Sequence, residues 1–270
     1  MRSVSSRQNP VVARFRALAR NRGTGDRVLL EGEHLVAEAL ASGIAIDTIA
    51  IAERRLATAA ARLADRVESA GGEALRVPEP VMAALSPAKE PSGIVAIARM
   101  AHASLEDTLR SAPQLLVVLA GIQDAGNVGA IVRAADGCGA TGIITTDGTA
   151  DPFGWKALRG AMGSTFRLPV AVHQPLAATV DSLKRRQIAI VAAVPRGGTM
   201  LPDARLRGPL AIVLGAEGAG LPDEIAKAAG ERVTIPMRAP VESFNVAITA
   251  ALILYEAARQ REHGPHNVSG

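Results

Sequence analysis

The stretch IPMRAPVESFNVAITAALILYE, Ile235–Glu256, determines how the rest of the chain is interpreted. It begins as the apolar end of a strand, turns through Pro236 and Pro240, and continues as a long apolar helix. Ser243 and Asn245 lie where the turn becomes the helix. A strand end, a tight turn and a helix N-terminus together present backbone N–H groups and side-chain oxygens to a ligand. The stretch therefore predicts a binding site, although Ser243 alone has the residue type of an ordinary helix N-cap.

The composition is that of a folded protein. The chain has 270 residues, of which 48% are hydrophobic and 2% are aromatic. This length favours two domains, and the hydrophobic content is sufficient for a core of Ala, Val, Leu and Ile. The low aromatic content argues against binding of bases by rows of stacked rings. Since no apolar run approaches the ~18 residues of a membrane span and the N-terminus has no signal-peptide core, we expect a cytoplasmic protein that does not contact membranes.

The basic residues are concentrated at the N-terminus. All but four of the 30 basic residues are Arg, and a GC-rich genome explains that overall preference equally well. Within residues 1–30, however, the only acid is Asp26. The arginines of this segment are Arg2, Arg7, Arg14, Arg16, Arg20, Arg22 and Arg27. Guanidinium groups suit phosphate oxygens, so the segment predicts contact with a polyanion.

The sequence gives little support for a metal site. Cys138 is the one cysteine, which excludes an internal disulfide and a Cys-based metal cluster, and its apolar context predicts a small buried side chain. Glu31, Glu33 and His34 are adjacent, but a single histidine without a second cluster favours a carboxylate at a helix start. We therefore expect no metal.

Alternating strand and helix patterns divide the chain into two predicted domains. Residues 1–98 read as a small α/β sandwich, with strands at DRVLLEG, IDTIAIA, EALRVPE and GIVAIAR and a helix over Val11–Arg20. Residues 99–113 are polar and are predicted to be a linker. Residues 114–262 contain the continuously apolar strands QLLVVLAG, TGIITTDG, FRLPVAV, IAIVAAV, LAIVLG and RVTIP, which is typical of a mostly parallel sheet buried on both faces. Residues 263–270 are predicted to be a flexible tail.

One motif in the second domain is misleading. Gly137, Gly139 and Gly142 spell the G-x-G-x-x-G pattern of dinucleotide-binding proteins. That pattern requires a strand before it and a helix after it, and here the predicted order is reversed. The order argues against a nicotinamide-dependent enzyme.

The segment GIQDAGNVGAIVRAADGCGATG, residues 121–142, is a stronger candidate for function. Asn127 follows a glycine-containing loop and has the residue type of an N-cap. Arg133 lies among apolar residues, where an unpaired guanidinium is costly. We therefore expect Arg133 to reach the edge of a site and an anionic partner.

The segment LAIVLGAEGAGLPDEI, residues 210–225, leads from a buried strand into a loop that contains Gly215, Gly218 and Gly220. These glycines permit a close backbone approach to a planar ligand. Glu217 makes the loop a poor phosphate cradle and favours a ligand with hydroxyl groups or positive charge. A solvated loop acid is the simpler alternative.

Together, NVGAIVRAADGCGATG, LGAEGAGLP and IPMRAPVESFNVAITAALILYE closely resemble the three motifs of the SpoU (TrmH-like) RNA ribose methyltransferases of the SPOUT superfamily. DPFGWKALRGAMGSTFRLPV resembles the Lys/Arg stretch between the first two motifs. LLEGEHLVAEAL and PSGIVAIA are similar to the family's RNA-binding domain. The resemblance covers nearly the whole chain in three ordered motifs.

This resemblance implies an α/β fold with a C-terminal, trefoil-knotted SPOUT methyltransferase domain. It also implies an N-terminal, ribosomal-protein-like RNA-binding domain, and assembly as a homodimer. The implied activity is methylation of a ribose 2′-hydroxyl in RNA with S-adenosyl-L-methionine as cofactor. The N-terminal domain and its arginines favour 23S ribosomal RNA over transfer RNA.

The resemblance also implies roles for individual residues. The implied catalytic residues are Asn127, Arg133, Glu217, Ser243 and Asn245. The implied cofactor-binding residues are Leu214, Gly215, Ala216, Gly220, Ile235, Met237 and Phe244. Arg133 would clamp the adjacent phosphate and stabilise the developing alkoxide, or act as a base. Asn127, Ser243 and Asn245 would orient the ribose, and Glu217 would hold the site by hydrogen bonds.

Three positions depart from the family pattern: Ala125 replaces a common Pro, Ala239 a common Gly and Phe244 a common Leu. The alternatives to an RNA methyltransferase are a non-catalytic RNA-binding protein of the same fold and a dinucleotide-dependent oxidoreductase. A Ser–His–acid hydrolase is unsupported, because His173 is the only histidine that precedes Ser243 in its domain.

Overall fold

The computed structural model describes residues 1–20, 26–56, 59–112, 114–218 and 220–262. The chain forms two compact units. The first comprises Met1–Ala101 together with Phe153–Arg167, and the second comprises His102–Pro152 together with Leu168–Gly270. The predicted tail at residues 263–270 and Arg22 of the basic segment lie outside the described residues.

The regular elements alternate between strands and helices along the chain. The strands of the first unit are β1 (Arg2–Ser3), β2 (Arg27–Glu31), β3 (Ile46–Ala52), β4 (Glu73–Val77) and β5 (Ile94–Arg99). Those of the second unit are β6 (Leu115–Ala120), β7 (Gly142–Thr146), β8 (Val170–Gln174), β9 (Ala189–Ala193), β10 (Thr199–Met200), β11 (Leu210–Gly215) and β12 (Glu231–Thr234). The helices are α1 (Pro10–Ala19), α2 (Glu33–Ala41), α3 (Ala59–Ser69), α4 (Glu79–Leu85), α5 (Leu105–Thr108), α6 (Ala125–Gly137), α7 (Trp155–Ala161), α8 (Leu176–Arg185), α9 (Asp223–Ala228) and α10 (Val246–Glu262).

The first unit is built on a mixed sheet of strand order β1-β4-β3-β5-β2. β5 runs antiparallel to both of its neighbours, β2 and β3. Asp47 on β3 accepts bonds from the Nε atoms of Arg27 on β2, at 2.8 Å, and of Arg99 on β5, at 2.7 Å. Burial raises the pKa of the Asp47 carboxyl, but these two guanidinium groups outweigh it and hold the pKa below its ordinary value. The carboxylate thus connects three neighbouring strands.

The basic N-terminal segment is part of this folded unit. Arg2 pairs with Glu73 at 2.6 Å, and the Nε atoms of Arg7 and Arg16 donate to two backbone carbonyl oxygens within α4. The predicted helix over Val11–Arg20 is confirmed as α1, which starts one residue earlier. Arginine side chains on its outer face remain exposed to solvent.

The segment Phe153–Arg167 belongs to the first unit although it lies far along the chain. Trp155 at the start of α7 packs against the core of this unit. Arg159 Nη1 lies 3.5 Å from Oε2 of Glu31, a buried carboxylate that also accepts a bond from the Ser92 amide at 3.0 Å. Buried charges are paired in this way because an isolated carboxylate is costly to desolvate. Glu33, the other acid of the sequence cluster, lies in the first turn of α2 as predicted.

The second unit is built on a parallel sheet of strand order β10-β12-β9-β11-β6-β7-β8. Every described pairing in this sheet is parallel, which confirms the prediction from the continuously apolar strands. The strands of its centre, β6 and β11, are buried almost throughout. A parallel sheet buried on both faces leaves its carboxyl-terminal edge as the place for a ligand.

The end of α10 is fastened to this unit by its last polar residues. The guanidinium of Arg261 donates to three backbone carbonyl oxygens, those of Gln114, Leu206 and Gly208. Gln260 beside it accepts a bond from the Leu206 amide at 3.0 Å. Burial lowers the pKa of Arg261. These bonds fix the helix whose N-terminus carries Asn245.

Several local predictions need correction. The predicted strand FRLPVAV begins only at Val170, because the residues up to Arg167 pack with the first unit. The N-cap of α6 is Asp124, whose side chain accepts from the Asn127 amide, so Asn127 lies within the first turn. Cys138 is only partly buried, and this burial raises the pKa of its thiol.

Two further observations bear on the class of protein. The G-x-G-x-x-G pattern runs from the last residue of α6 to the first residue of β7, so the helix comes before the strand, the reversed order expected from the sequence. Of the helices in the described residues, none has the length and apolar character required to cross a membrane.

Candidate active site

A cavity of about 570 Å³ opens at the carboxyl ends of three neighbouring strands of the second unit. β12, β9 and β11 are adjacent in the sheet, and each ends at the cavity wall. Ala193 closes β9, Gly215 closes β11, and Ile235 follows β12. Carboxyl ends of parallel strands meet at one edge, which is why segments distant in sequence meet here.

Glycines bring the backbone of the loop after β11 close to itself. The Gly220 amide donates to the Ala216 carbonyl oxygen at 3.0 Å, which closes the loop after β11 into a tight turn. Gly218 and Gly220 have φ of +87° and +73°, a conformation that L side chains rarely adopt. A Cβ on Gly215 would lie 2.6 Å from the Gly220 carbonyl carbon and 2.8 Å from the Leu221 amide nitrogen. The wall therefore requires glycine at position 215.

Three polar side chains from the three sequence segments meet beside this cavity. Asn127 Nδ2 donates to Glu217 Oε1 at 2.9 Å. Asn245 Nδ2 donates to Asn127 Oδ1 at 3.1 Å and to Glu217 Oε1 at 3.3 Å. Each amide thus has a defined orientation, and together with the carboxylate they form a closed network. We call Asn127, Glu217 and Asn245 the polar triangle.

Both asparagines of the polar triangle are fixed by helix N-termini. The backbone N–H of Asn127 donates to Asp124 Oδ1 at 2.9 Å, and Asn245 Oδ1 accepts from the backbone N–H of Ala247 at 2.9 Å. The helices that begin there, α6 and α10, pack against each other. Because Asn245 Oδ1 caps α10, its Nδ2 is left to face Asn127 and Glu217.

Ser243 and Arg133 lie outside this network of hydrogen bonds. Ser243 lines the cavity with its side chain exposed, two residues before Asn245. Arg133 lies on α6, six residues and therefore ~9 Å along the helix axis from Asn127. It is exposed, because Ile131, Val132 and Ala135 are buried on the other side of the helix while Arg133 faces solvent. That Arg133 reaches the edge of a site and an anionic partner stays a prediction.

The cavity has the size and character of a site for an adenosine-containing cofactor. Its volume falls in the usual ~300–1,000 Å³ range of ligand sites. All of the cofactor-binding residues implied by the sequence line it, namely Leu214, Gly215, Ala216, Gly220, Ile235, Met237 and Phe244. Backbone groups of the glycine loop and apolar side chains suit a neutral adenine better than charged groups would.

The sequence interpretation missed one wall of the cavity. Four residues line it from the end of β9, namely Ala193, Val194, Pro195 and Arg196, and Glu242 lines it from the stretch Ile235–Glu256. The apolar run IAIVAAV predicted the strand, and a strand next to β11 in the sheet necessarily ends at the same edge. The strand order was the missing information, since neither spacing nor residue type reveals it.

Comparison with known proteins agrees with this geometry. A model of the SpoU rRNA Methylase family matches residues 114–255, and a model of the MRM3-like substrate binding domain matches residues 4–96. An uncharacterized tRNA/rRNA methyltransferase of Synechocystis sp. is 33% identical over 96% of this chain and 94% of its own length. The 23S rRNA (guanosine(2553)-2′-O)-methyltransferase RlmP of Bacillus subtilis is 30% identical over 94% of this chain and 98% of its own.

Solved structures show the same fold over nearly the full chain. An AdoMet-bound rRNA methyltransferase from Sinorhizobium meliloti is 31% identical and superposes with a TM-score of 0.82 over 96% of this chain and 97% of that one. The SpoU methyltransferase AviRb from Streptomyces viridochromogenes, in complex with AdoMet, is 27% identical with a TM-score of 0.83, over 95% of this chain and 100% of that one. The chain belongs to the SpoU rRNA methylase family.

Proposed function

We propose that this protein transfers a methyl group from S-adenosyl-L-methionine to a ribose 2′-hydroxyl of 23S ribosomal RNA. The observation that carries the proposal is the polar triangle beside the glycine-lined cavity. The cofactor is supported by AdoMet-bound structures of relatives. The RNA substrate is supported by a relative named as a 23S rRNA 2′-O-methyltransferase and by the substrate-binding model over residues 4–96.

The protein's part in the reaction is to orient the hydroxyl and to stabilise the charge that develops as the hydroxyl loses its proton. When bound, S-adenosyl-L-methionine supplies an electrophilic methyl group. Negative charge develops on the 2′-oxygen as its proton passes to the surrounding water. Arg133 is exposed on α6 and free to meet RNA, and its guanidinium stabilises that charge and clamps the adjacent phosphate.

The polar triangle serves as the fixed support of this site. Glu217 accepts from both asparagine amides, so its position and theirs depend on one another. Ser243 and Asn245, which precede α10, are the residues that orient the ribose. A preorganised polar site of this kind needs no rearrangement as charge develops.

Arg133→Ala tests the catalytic assignment. We expect methyl transfer to 23S RNA to be abolished while the Kd for S-adenosyl-L-methionine stays within a few-fold of the wild-type value, because Arg133 does not line the cavity. Arg207→Ala, which removes another exposed arginine of the second unit, is the matched control and keeps its activity. Near-normal turnover of Arg133→Ala would show that this residue has no catalytic role.

The RNA target requires a separate measurement. Mapping of 2′-O-methylated nucleotides in total RNA from a deletion strain identifies the position whose methylation is lost. Loss in 23S RNA supports the proposed substrate, and loss confined to transfer RNA contradicts it.

The domain bounds and the path of the chain in the second domain are the next features. We propose domains at residues 1–98 and 114–262 joined by a linker at 99–113, with Phe153–Arg167 as a segment of the second that packs with the first compact unit. We also propose a ribosomal-protein-like fold for the first domain and a trefoil knot in the second. The knot is proposed from the resemblance to the family, and the strand order, in which β12 lies between the earlier strands β10 and β9, is compatible with it. Pulling the 270 residues from both ends tests the knot, since a knotted chain stops short of the ~3.3–3.6 Å per residue of a fully extended one.

We further propose that the protein acts as a cytoplasmic homodimer. Ile248, Leu252 and Tyr255 lie on one face of α10 at spacings of four and three residues, and they are 50%, 37% and 64% exposed. An apolar stripe of this kind on a helix already packed on its other face suits a second copy of the chain.

A further inference from the structure

An exposed ion pair crosses the wall of the cofactor cavity. Arg196 Nη2 lies 3.2 Å from Glu242 Oε1, and the two side chains are 75% and 82% exposed. Both residues line the cavity, but they come from different segments: Arg196 follows β9 and Glu242 precedes α10. A solvated pair of this kind contributes little to stability, so a ligand can open it at small cost.

The cavity wall has few charged side chains, and they differ in the partners that they contact. Among its described lining residues the charged ones are Arg196, Glu217 and Glu242. Glu217 is held by the two asparagines of the polar triangle. Arg196 is therefore the cation of this wall, and Glu242 is its acidic partner.

The cofactor presents a matching pair of charges. The methionine part of S-adenosyl-L-methionine ends in an α-carboxylate and an α-ammonium group on one carbon. An arginine fork pairs with a carboxylate through two parallel N–H···O bonds, and a carboxylate accepts bonds from an ammonium. Apart from Ser243 and Thr249, the remaining wall is built of glycines and apolar side chains, which suit the adenosine part.

We propose that Arg196 binds the α-carboxylate of the cofactor's methionine part and that Glu242 accepts a bond from its α-ammonium group. This inference rests on the proposed function, because it assumes the methyl donor. One weak ion pair between protein side chains is exchanged for two pairs with the ligand. The exchange makes Arg196 and Glu242 determinants of specificity for the amino-acid end of the cofactor.

A purely structural role of the pair predicts a different pattern of binding. If the pair only ties the segment after β9 to the segment before α10, its loss distorts the cavity for every adenosine ligand. Recognition of the carboxylate instead affects only ligands that carry it. Three ligands separate these cases. S-adenosylhomocysteine has both the carboxylate and the ammonium group. Decarboxylated S-adenosylmethionine keeps the ammonium group but not the carboxylate, and 5′-methylthioadenosine has neither.

Calorimetric measurement of Kd for these ligands tests the proposal. We expect Arg196→Ala to weaken S-adenosylhomocysteine about ten- to hundredfold, as for loss of a hydrogen-bonded charge, and to leave the other two ligands within twofold. Arg196→Lys retains part of the affinity. Glu242→Ala weakens S-adenosylhomocysteine and decarboxylated S-adenosylmethionine but not 5′-methylthioadenosine. The control Arg207→Ala changes none of the three.

The outcomes distinguish this inference from the proposed function. Equal weakening of all three ligands by Arg196→Ala, or no weakening of any, overturns the role of Arg196. In either case the wild-type protein still binds S-adenosylhomocysteine, and the methyl-donor assignment stands. If the wild-type protein binds none of the ligands, the proposed function itself fails. Binding of 5′-methylthioadenosine also verifies that each variant is folded.

Discussion

Asn245 shows how much of the site depends on one side chain. Its Oδ1 caps α10 through the Ala247 amide, and its Nδ2 contacts both Asn127 and Glu217. An N-cap contributes about 1 kcal/mol to a helix, so the same amide stabilises the fold and orients the site. Loss of this residue therefore combines two effects, and Asn127 is the better position at which to examine the network.

Asn127→Asp converts a donor into a carboxylate beside Glu217, where the wild-type atoms are 2.9 Å apart. Repulsion between like charges raises the pKa of the introduced aspartate, and its protonated form restores an O–H donor. We expect methyl transfer to fall about tenfold or more at pH 8, as expected for loss of a charged hydrogen bond, and to recover partly towards pH 6.

Asn127→Ala is the control for this experiment, since it removes the donor without adding a titratable group. Its activity, measured as the rate of methyl transfer between pH 6 and 8, should lack the recovery at low pH. A pH profile of Asn127→Asp with the same shape as that of Asn127→Ala would contradict the contact.

Through its resemblance to a family, the sequence predicted which three residues form the polar triangle and that they lie in one site. It did not predict that Arg133 is exposed to solvent, because residues that are neighbours in sequence lie on different faces of a helix. It also gave no indication of Arg196, whose pairing with Glu242 depends on the strand order.

At the scale of elements, the loop after β11 depends on the absence of side chains. Gly215→Ala places a methyl group against the backbone of Gly220 and Leu221, which no rotamer change can relieve. We expect the loop to shift and the Kd for S-adenosyl-L-methionine, measured by calorimetry, to rise at least about tenfold, because the cavity wall itself moves.

Gly208→Ala is the matched control, because a Cβ there meets nothing within 4 Å. This variant should bind the cofactor like the wild-type protein. Unchanged affinity of Gly215→Ala would mean that the loop does not form the cofactor wall.

The first-unit sheet has a pH-dependent link at Asp47. Because its folded-state pKa is lowered, the carboxylate stabilises the fold above the ordinary carboxyl pKa of ~4, and this stabilisation is lost as the pH falls through the folded value. We expect Asp47→Asn to cost about 1 kcal/mol at pH 7 in urea unfolding of the first unit, and the difference to shrink at about pH 3, below the ordinary carboxyl pKa.

Asp65→Asn, at an exposed position on α3 of the same unit, is the comparison variant and should leave stability unchanged at both pH values. A cost of Asp47→Asn that persists unchanged at low pH would indicate lost packing instead of a lost ionic link.

Most elements could be predicted because their signals are local. Apolar runs of five or six residues predicted the central strands, and glycines or prolines predicted their ends. The two-residue strands β1 and β10 are too short for any periodicity. The assignment of Phe153–Arg167 to the first unit was not predictable either, because its partners lie more than a hundred residues earlier and no local pattern specifies them.

At the scale of the whole molecule, the apolar stripe of α10 predicts self-association. We expect the wild-type protein to elute as a dimer of 27.9 kDa chains in size-exclusion chromatography with light scattering. The double variant Leu252→Arg, Tyr255→Glu should elute as a monomer, since it places charges in a desolvated interface.

Met200→Arg replaces another exposed apolar side chain, 48% accessible and outside the stripe, and should remain dimeric. A monomeric wild-type protein, or a double variant that stays dimeric, would exclude α10 as the interface.

The insertion of Phe153–Arg167 into the first unit has a consequence for synthesis on the ribosome. Trp155 and Arg159 complete the core and the charge pairing of a unit whose strands all lie before residue 100. The nascent N-terminal part therefore cannot reach its final packing until residue 167 has left the exit tunnel. By then β6, α6 and β7 have already emerged, so maturation of the two units overlaps in time instead of proceeding strictly from the N-terminus.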